Sequence, residues 1–203
     1  NVALKNAVEY IDLELTLPNK LIYKVLNRKG TTKIIGSHHD FAGKFKWDDS
    51  EWENRYNQAL SLDVDVVKFV GTAEDFADNL ALERFRSQHT SKPLIAINMT
   101  EKGKISRVLN TVLTPVTSSL LPSASAPGQL TLAEINNLFH KFGGLPAKQF
   151  LVIGSPIGHS RSPILHNTGY KLLGLPHNFD KFETDDVEQV KKEVLSRPDL
   201  GGL

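Results

Sequence analysis

The chain has 203 residues, 24 Lys plus Arg against 23 Asp plus Glu, a formal net charge of +1, 40% hydrophobic residues and no cysteine. That length holds one large domain or two small ones with a real core. The near-neutral balance speaks against a nucleic-acid or membrane-surface partner, and the absence of cysteine removes disulfides, thiol nucleophiles and cysteine metal sites. No apolar run is long enough to span a bilayer and no secretory signal opens the chain, so a cytoplasmic protein is expected. The first residue is Asn1 and the last five are DLGGL, which reads as an interrupted approach to a strand. Both ends are expected to belong to something longer.

Strand-like and helix-like segments alternate. Residues 8–15 (VEYIDLEL) predict a strand and 18–29 (PNKLIYKVLNRK) a helix closed by Gly30. A strand over 32–37 precedes a helix over 48–62, and a strand over 64–70 precedes a helix over 72–88 that Thr72 would cap. A strand over 93–99, a short helix over 105–113 and a weak strand over 115–121 follow. Thr131 and Glu134 form a Thr-x-x-Glu capping box at the start of a helix over 131–142. This alternation implies a parallel sheet, open or closed into a barrel. GGLPAK (143–148) reads as a linker. Beyond it come a strand (149–155), a Ser/Gly/Pro-rich loop, a helix (162–173), a strand (177–183) and a helix (186–196). Neither a repeat nor a low-complexity tract occurs.

Four places carry chemistry. On strand 8–15, Ile11, Leu13 and Leu15 share one face and Tyr10, Asp12 and Glu14 the other. In a barrel the carboxylates would point inward, where they need partners; an edge strand with a wet face gives the same pattern. Lys68 stands inside an apolar run, VDVVKFV. Desolvation favours a neutral amine, which can form a Schiff base with a carbonyl. A lysine snorkelling from a strand end is the simpler account. His39 follows strand 32–37, at the end where ligands gather in parallel α/β folds, and His38 reads as a loop residue. No ligand-spaced partner supports a metal. Arg107 and the loop SASAPGQ (123–129) could hold an anion, or be a solvated helix residue and an ordinary turn.

The order of these pieces is informative. GSHHDF, DVVKFVGTA, INMTEKGKISR and SASAPGQLT together resemble the second half of the type I 3-dehydroquinate dehydratase family, and VIGSPIGHSRSPILHN (152–167) resembles the start of the shikimate dehydrogenase family. The two in this order resemble the fungal pentafunctional AROM family. The resemblance implies the last five or so β/α units of a (β/α)8 TIM barrel over 1–145, then the beginning of an α/β substrate-binding domain over 146–203. It implies dehydration of 3-dehydroquinate to 3-dehydroshikimate. Lys68 would be the Schiff-base lysine and His39 the general acid–base. Arg107, Met99, Ser125 and Gln129 would bind substrate, and Ser160 and Ser162 would bind the carboxylate of shikimate. No cofactor is implied for the dehydratase. NADP is implied for a complete shikimate dehydrogenase, but no Gly-x-Gly-x-x-Gly occurs here to bind it. A homodimer of the longer polypeptide is expected.

The family's first three strands have no counterpart in this sequence. The resemblance assigns to them the carboxylate that pairs with the catalytic histidine and further substrate-binding residues, so the chain by itself is expected to be inactive. Competing readings are a regulatory, quinate-repressor-like homologue that binds the same ligands, a catalytically silent domain within the fusion, and another imine-forming barrel such as an aldolase. Retention of Lys68, His39 and Arg107 together speaks against a pure sensor.

Overall fold

The computed structural model describes residues 2–203. Residues up to Thr117, with Leu121–Gln129, form one compact unit, and Ser118–Leu120 with Leu130–Leu203 form another.

The first unit runs α1 (Val2–Lys5), β1 (Tyr10–Glu14), α2 (Asn19–Leu26), β2 (Lys33–His39), α3 (Ser50–Ser61), β3 (Val66–Thr72), α4 (Ala77–Gln88), β4 (Leu94–Met99), a 3-10 turn (Glu101–Gly103) and α5 (Lys104–Leu109). The strands pair in parallel in the order β1-β2-β3-β4. Such sequential neighbours, with helical crossovers, are the connectivity of successive barrel units.

Strand alternation divides the sheet into two faces. One is covered by helices. Leu15, Ile34, Val67, Phe69, Leu94 and Ala96 pack there with Trp47, Trp52, Tyr56, Leu82 and Phe85. Trp47 and Trp52 stack with centroids 4.6 Å apart, and Trp52 lies 5.3 Å from Phe69. A buried polar chain crosses this core without leaving its members unpaired. The Trp47 indole donates to Asn98 Oδ1 at 2.7 Å, the Asn98 amide donates to Asn79 Oδ1 at 3.1 Å, and the Asn98 backbone N–H donates to Ser106 Oγ at 2.8 Å. These bonds fix the end of β4 to α4 and α5. The opposite face carries Asp12, Glu14, Ser37, His39, Lys68, Val70, Ile97 and Met99.

The second unit contains α6 (Leu132–Lys141), β5 (Gln149–Gly154), α7 (Ser162–Leu173), β6 (Asn178–Glu183), α8 (Val187–Glu193) and β7 (Leu200–Gly202). Its strands are parallel in the order β6-β5-β7. The Thr131–Glu134 capping box opens α6 as its sequence predicts. Gly174 closes α7 in the left-handed region at φ 67°, and a side chain there would collide with the backbone of Ala133. Glycine is therefore required both for the turn and for the approach of α7 to α6. The Asn167 side chain donates to the carbonyl of Phe179 at 2.8 Å and accepts from its N–H at 2.7 Å, as a neighbouring strand would.

The elements depart from the sequence reading at 115–121 and at the start of the helix read over 72–88. The weak strand at 115–121 does not form beyond a single bridge at Thr117, so four strands rather than five precede β5. Thr72 is the last residue of β3, not a helix cap, and its hydroxyl donates to the carbonyl of Asp40 at 3.0 Å. The helix begins five residues later, at Ala77, after a turn in which the Asp78 carboxylate accepts from the N–H groups of Glu74 and Asp75. At the far end, DLGGL contributes a short paired strand, β7.

Candidate active site

The site-bearing face is built by register. Glu14 stands opposite Ser37, Ser37 opposite Lys68, and Lys68 opposite Ile95, so one row of side chains crosses four strands. The next row towards the C-terminal ends holds His39, Val70 and Ile97. His39 is the last residue of β2 rather than the first of a loop, and strand alternation sends the two histidines to opposite faces. His38 is the core residue of the pair: its ring lies 5.7 Å from Trp52 and 6.0 Å from Phe45. That corrects the reading of His38 as a loop residue. Burial, and then the Arg55 guanidinium, hold its imidazole below its ordinary value. The loop after β2 is set by Asp40, whose carboxylate accepts from the Phe45 N–H at 2.8 Å, while Phe41 stacks on the His39 ring at 5.3 Å.

Two carboxylates on β1 hold the two candidate catalytic groups. Glu14 Oε2 lies 2.8 Å from His39 Nδ1 and accepts from the Ser37 hydroxyl at 3.0 Å, and Glu14 Oε1 accepts from the His39 backbone N–H at 3.0 Å. Three hydrogen-bond contacts from β2 thus converge on one carboxylate, and the His38 Nδ1 lies 3.4 Å from its Oε1. With Nδ1 engaged as the donor, Nε2 is left as the basic nitrogen. Asp12 Oδ2 accepts from Lys68 Nζ at 2.7 Å. The Lys68 side chain is 18% exposed, so it is neither snorkelling into solvent nor unpaired. Within this chain the carboxylate beside His39 is Glu14. The alternation of apolar and acidic residues along 8–15 was the signal for both carboxylates, but it could not say which partner each would take.

One pocket collects most of the expected residues. His39, Lys68, Arg107, Met99 and Gln129 line it together, with Val70 and Ile97 as apolar wall. Arg107 sits on α5, 1% exposed, and donates to the carbonyl of Pro127 at 3.3 Å, while its Nε has no partner. Burial lowers its proton affinity from the usual guanidinium value, yet among the described residues it makes no ion pair. A buried, unpaired guanidinium on a pocket wall is a strong candidate for binding an anion.

The loop 123–129 borders the pocket through Ala126 and Gln129. It is shaped by Gly128 at φ 72°, where a side chain would strike the carbonyl of Thr100. The Gln129 amide accepts from the Ser125 N–H at 3.1 Å and donates to the carbonyl of Val116 at 3.1 Å. Ser125 does not line the pocket in this arrangement. Ser160 and Ser162 belong to the second unit, at the start of α7. Ser160 Oγ accepts from the Ser162 N–H at 3.4 Å, a long bond, and neither hydroxyl makes another hydrogen bond among the described residues. Among the described residues no cluster of acidic, histidine or cysteine side chains could hold a metal, and no helix is long and apolar enough to cross a membrane.

Comparison with known proteins adds to this geometry. Residues 1–146 match the type I 3-dehydroquinase family, and residues 152–203 match the shikimate dehydrogenase substrate binding domain. The pentafunctional AROM polypeptide of Kluyveromyces lactis is 82% identical over 202 residues, which is 100% of this chain and 13% of that relative. The chain therefore spans about an eighth of the length of such relatives. The solved structure of dehydroquinate dehydratase and shikimate dehydrogenase from S. pombe AroM superposes with a TM-score of 0.91 at 44% identity, covering 98% of this chain and 38% of that one. The structure of type I 3-dehydroquinate dehydratase from Clostridium difficile, with covalently modified comenic acid, gives a TM-score of 0.59 at 28% identity over 70% of this chain and 59% of that one.

Proposed function

The chain belongs to the type I 3-dehydroquinase family, and from that premise we propose that it supplies the imine-forming half of a 3-dehydroquinate dehydratase site within a longer shikimate-pathway polypeptide. The observation that carries this reading is the shared pocket of Lys68, His39 and Arg107. A lysine amine, a proton shuttle and an unpaired cation suit a substrate that is both a ketone and a carboxylate.

The chemistry follows from those groups. The Lys68 ammonium condenses with the ketone: the C–N bond forms, the carbonyl oxygen departs as water with two of the nitrogen's three protons, and the third stays on the protonated imine. That imine withdraws electrons from the adjacent C–H bond. His39 Nε2 removes the proton to give an enamine, then returns a proton to the hydroxyl that leaves as a second water. Hydrolysis of the conjugated imine releases 3-dehydroshikimate and restores Lys68. Arg107 holds the substrate carboxylate, Met99 forms apolar wall, and Gln129 and Ser125 belong to the loop over the pocket. The dehydratase step needs no cofactor.

Residues 146–203 are read as the opening of a shikimate dehydrogenase substrate-binding domain, in which Ser160 and Ser162 grip the carboxylate of shikimate. The residues present do not fit NADP: the turn after β5 is GSPIGHSRSP, with no Gly-x-Gly-x-x-Gly for a pyrophosphate. On the same reading the protein is cytoplasmic, acts on small molecules rather than nucleic acid or membrane, and is a homodimer as part of the longer polypeptide.

Turnover tests the proposal. Full-length polypeptide given 3-dehydroquinate should form the conjugated product, followed by its ultraviolet absorbance, and Lys68→Ala should abolish that activity. Tight binding of 3-dehydroquinate without turnover would instead identify a regulatory or silent homologue.

A further inference from the structure

We propose that Asp12 and Glu14 are paired counter-ions for a single positive charge that moves between Lys68 and His39 during the reaction. This rests on the dehydratase reading above and goes beyond it by giving the two β1 carboxylates distinct electrostatic duties.

The argument begins with charge conservation. An ammonium condensing with a ketone gives an iminium and water: the C–N bond forms, the carbonyl C–O bond breaks, and the single positive charge stays on the nitrogen. Asp12 Oδ2, 2.7 Å from Lys68 Nζ, faces that charge before and after condensation. Proton removal from carbon then places the C–H electron pair in the enamine and the proton on His39. The Lys68 nitrogen becomes neutral and the imidazole becomes a cation. The new cation lies against Glu14, 2.8 Å from Nδ1. When His39 gives its proton to the departing hydroxyl, the enamine electrons expel water and the charge returns to the nitrogen beside Asp12. Each carboxylate is already seated at one of the two places the charge occupies, so neither has to reorganise when it moves.

The spacing fits this division. Residues two apart on a strand share a face, and Asp12 and Glu14 are two apart on β1. Glu14 is committed to β2 by its contacts with Ser37 and His39, whereas Asp12 is bonded only to Lys68 among the described residues. The other charged group on the pocket wall is Arg107 of α5. From the far side, β4 offers Ile95, Ile97 and Met99, none of which carries charge. His38 packs its ring against Trp52 in the core, with its Nδ1 3.4 Å from Glu14 Oε1, so it is the other titratable group that Glu14 faces. No carboxylate lines the pocket itself; Asp12 and Glu14 stand behind it, reaching it through Lys68 and His39.

The two carboxylates should therefore fail differently. The test uses full-length polypeptide, 3-dehydroquinate and cyanoborohydride, which reduces a protonated imine far faster than a neutral one. In Asp12→Asn, the pH above which trapping on Lys68 falls by half should drop by about one unit or more, and Asp12→Glu should recover part of that shift. In Glu14→Gln, trapping should persist across the same pH range while turnover falls about 10²-fold or more. Thermal unfolding of each variant accompanies these measurements. A wild-type trapping profile in Asp12→Asn, or loss of trapping in Glu14→Gln, in protein that unfolds at the wild-type temperature would overturn the division of roles. Failure of the wild-type protein to be trapped on Lys68 would overturn the dehydratase reading itself.

Discussion

Strands β3 and β4 of the first unit are buried along almost their whole length, whereas β5 and β6 of the second are, apart from Leu151, half-buried to exposed. In the first unit the core aromatic residues lie beneath one face of the sheet with His38, and Asp12, Glu14, Lys68 and His39 stand on the other. Stability and chemistry are thus assigned to alternate residues of the same strands. In the second unit the contacts are local. Asn167 and Gly174 fix α7, and Ser160 bonds two residues along its own chain. A site built by register across several strands is held by the whole sheet, whereas one built on a turn is held by the turn.

The two histidines of β2 give the sharpest way to break this contrast. His39→Ala in the full-length polypeptide should lower kcat by roughly 10²–10⁴ with little change in thermal stability. His38→Ala should do the reverse, retaining most activity and losing stability. Equal loss of activity from both would mean that the faces do not divide the two tasks. On the core side, Trp52→Ala should cost roughly 3–5 kcal/mol in denaturant unfolding, since it is fully buried against Trp47 and Phe69.

The second unit should respond on a smaller scale. Replacing Ser160 and Ser162 together by alanine should weaken shikimate binding by roughly 1.5–3 kcal/mol for each lost bond to its carboxylate, leaving NADP affinity nearly unchanged. Unaltered shikimate affinity with a lowered melting temperature would show that the serines only support the start of α7. The smallest effect concerns pH. Burial holds native His38 below its ordinary value of 6.5, so it stays neutral where the unfolded chain already takes up a proton. Its contribution to stability is present above the unfolded value and is lost as pH falls towards and through the lower folded value. Melting temperatures measured from neutral to mildly acidic pH should therefore fall less steeply in His38→Gln than in the wild type.

Much of this was legible in the sequence, for physical reasons. Alternating β and α patterns gave the parallel sheet, and the Thr131–Glu134 box marked the start of α6. The apolar and acidic alternation in 8–15 placed Asp12 and Glu14 on one face. Partners were harder, because register decides them. A shift of one residue in β2 would exchange His38 for His39, and nothing local announces that Glu14 sits opposite Ser37. The start of α4 was misread because Thr72 resembles a helix cap, whereas pairing with Met99 keeps it in β3. At 115–121 the β-branched residues suggested a strand, but only Thr117 forms a bridge.

The central claim is that Lys68 forms an imine with 3-dehydroquinate while His39 moves the proton. Borohydride reduction of the full-length polypeptide in the presence of 3-dehydroquinate, followed by peptide mass mapping, tests it most directly. The account predicts one substrate-derived adduct on the peptide that contains Lys68, present in His39→Ala and absent in Lys68→Ala. An adduct on a different lysine, or full turnover in Lys68→Ala, would contradict it.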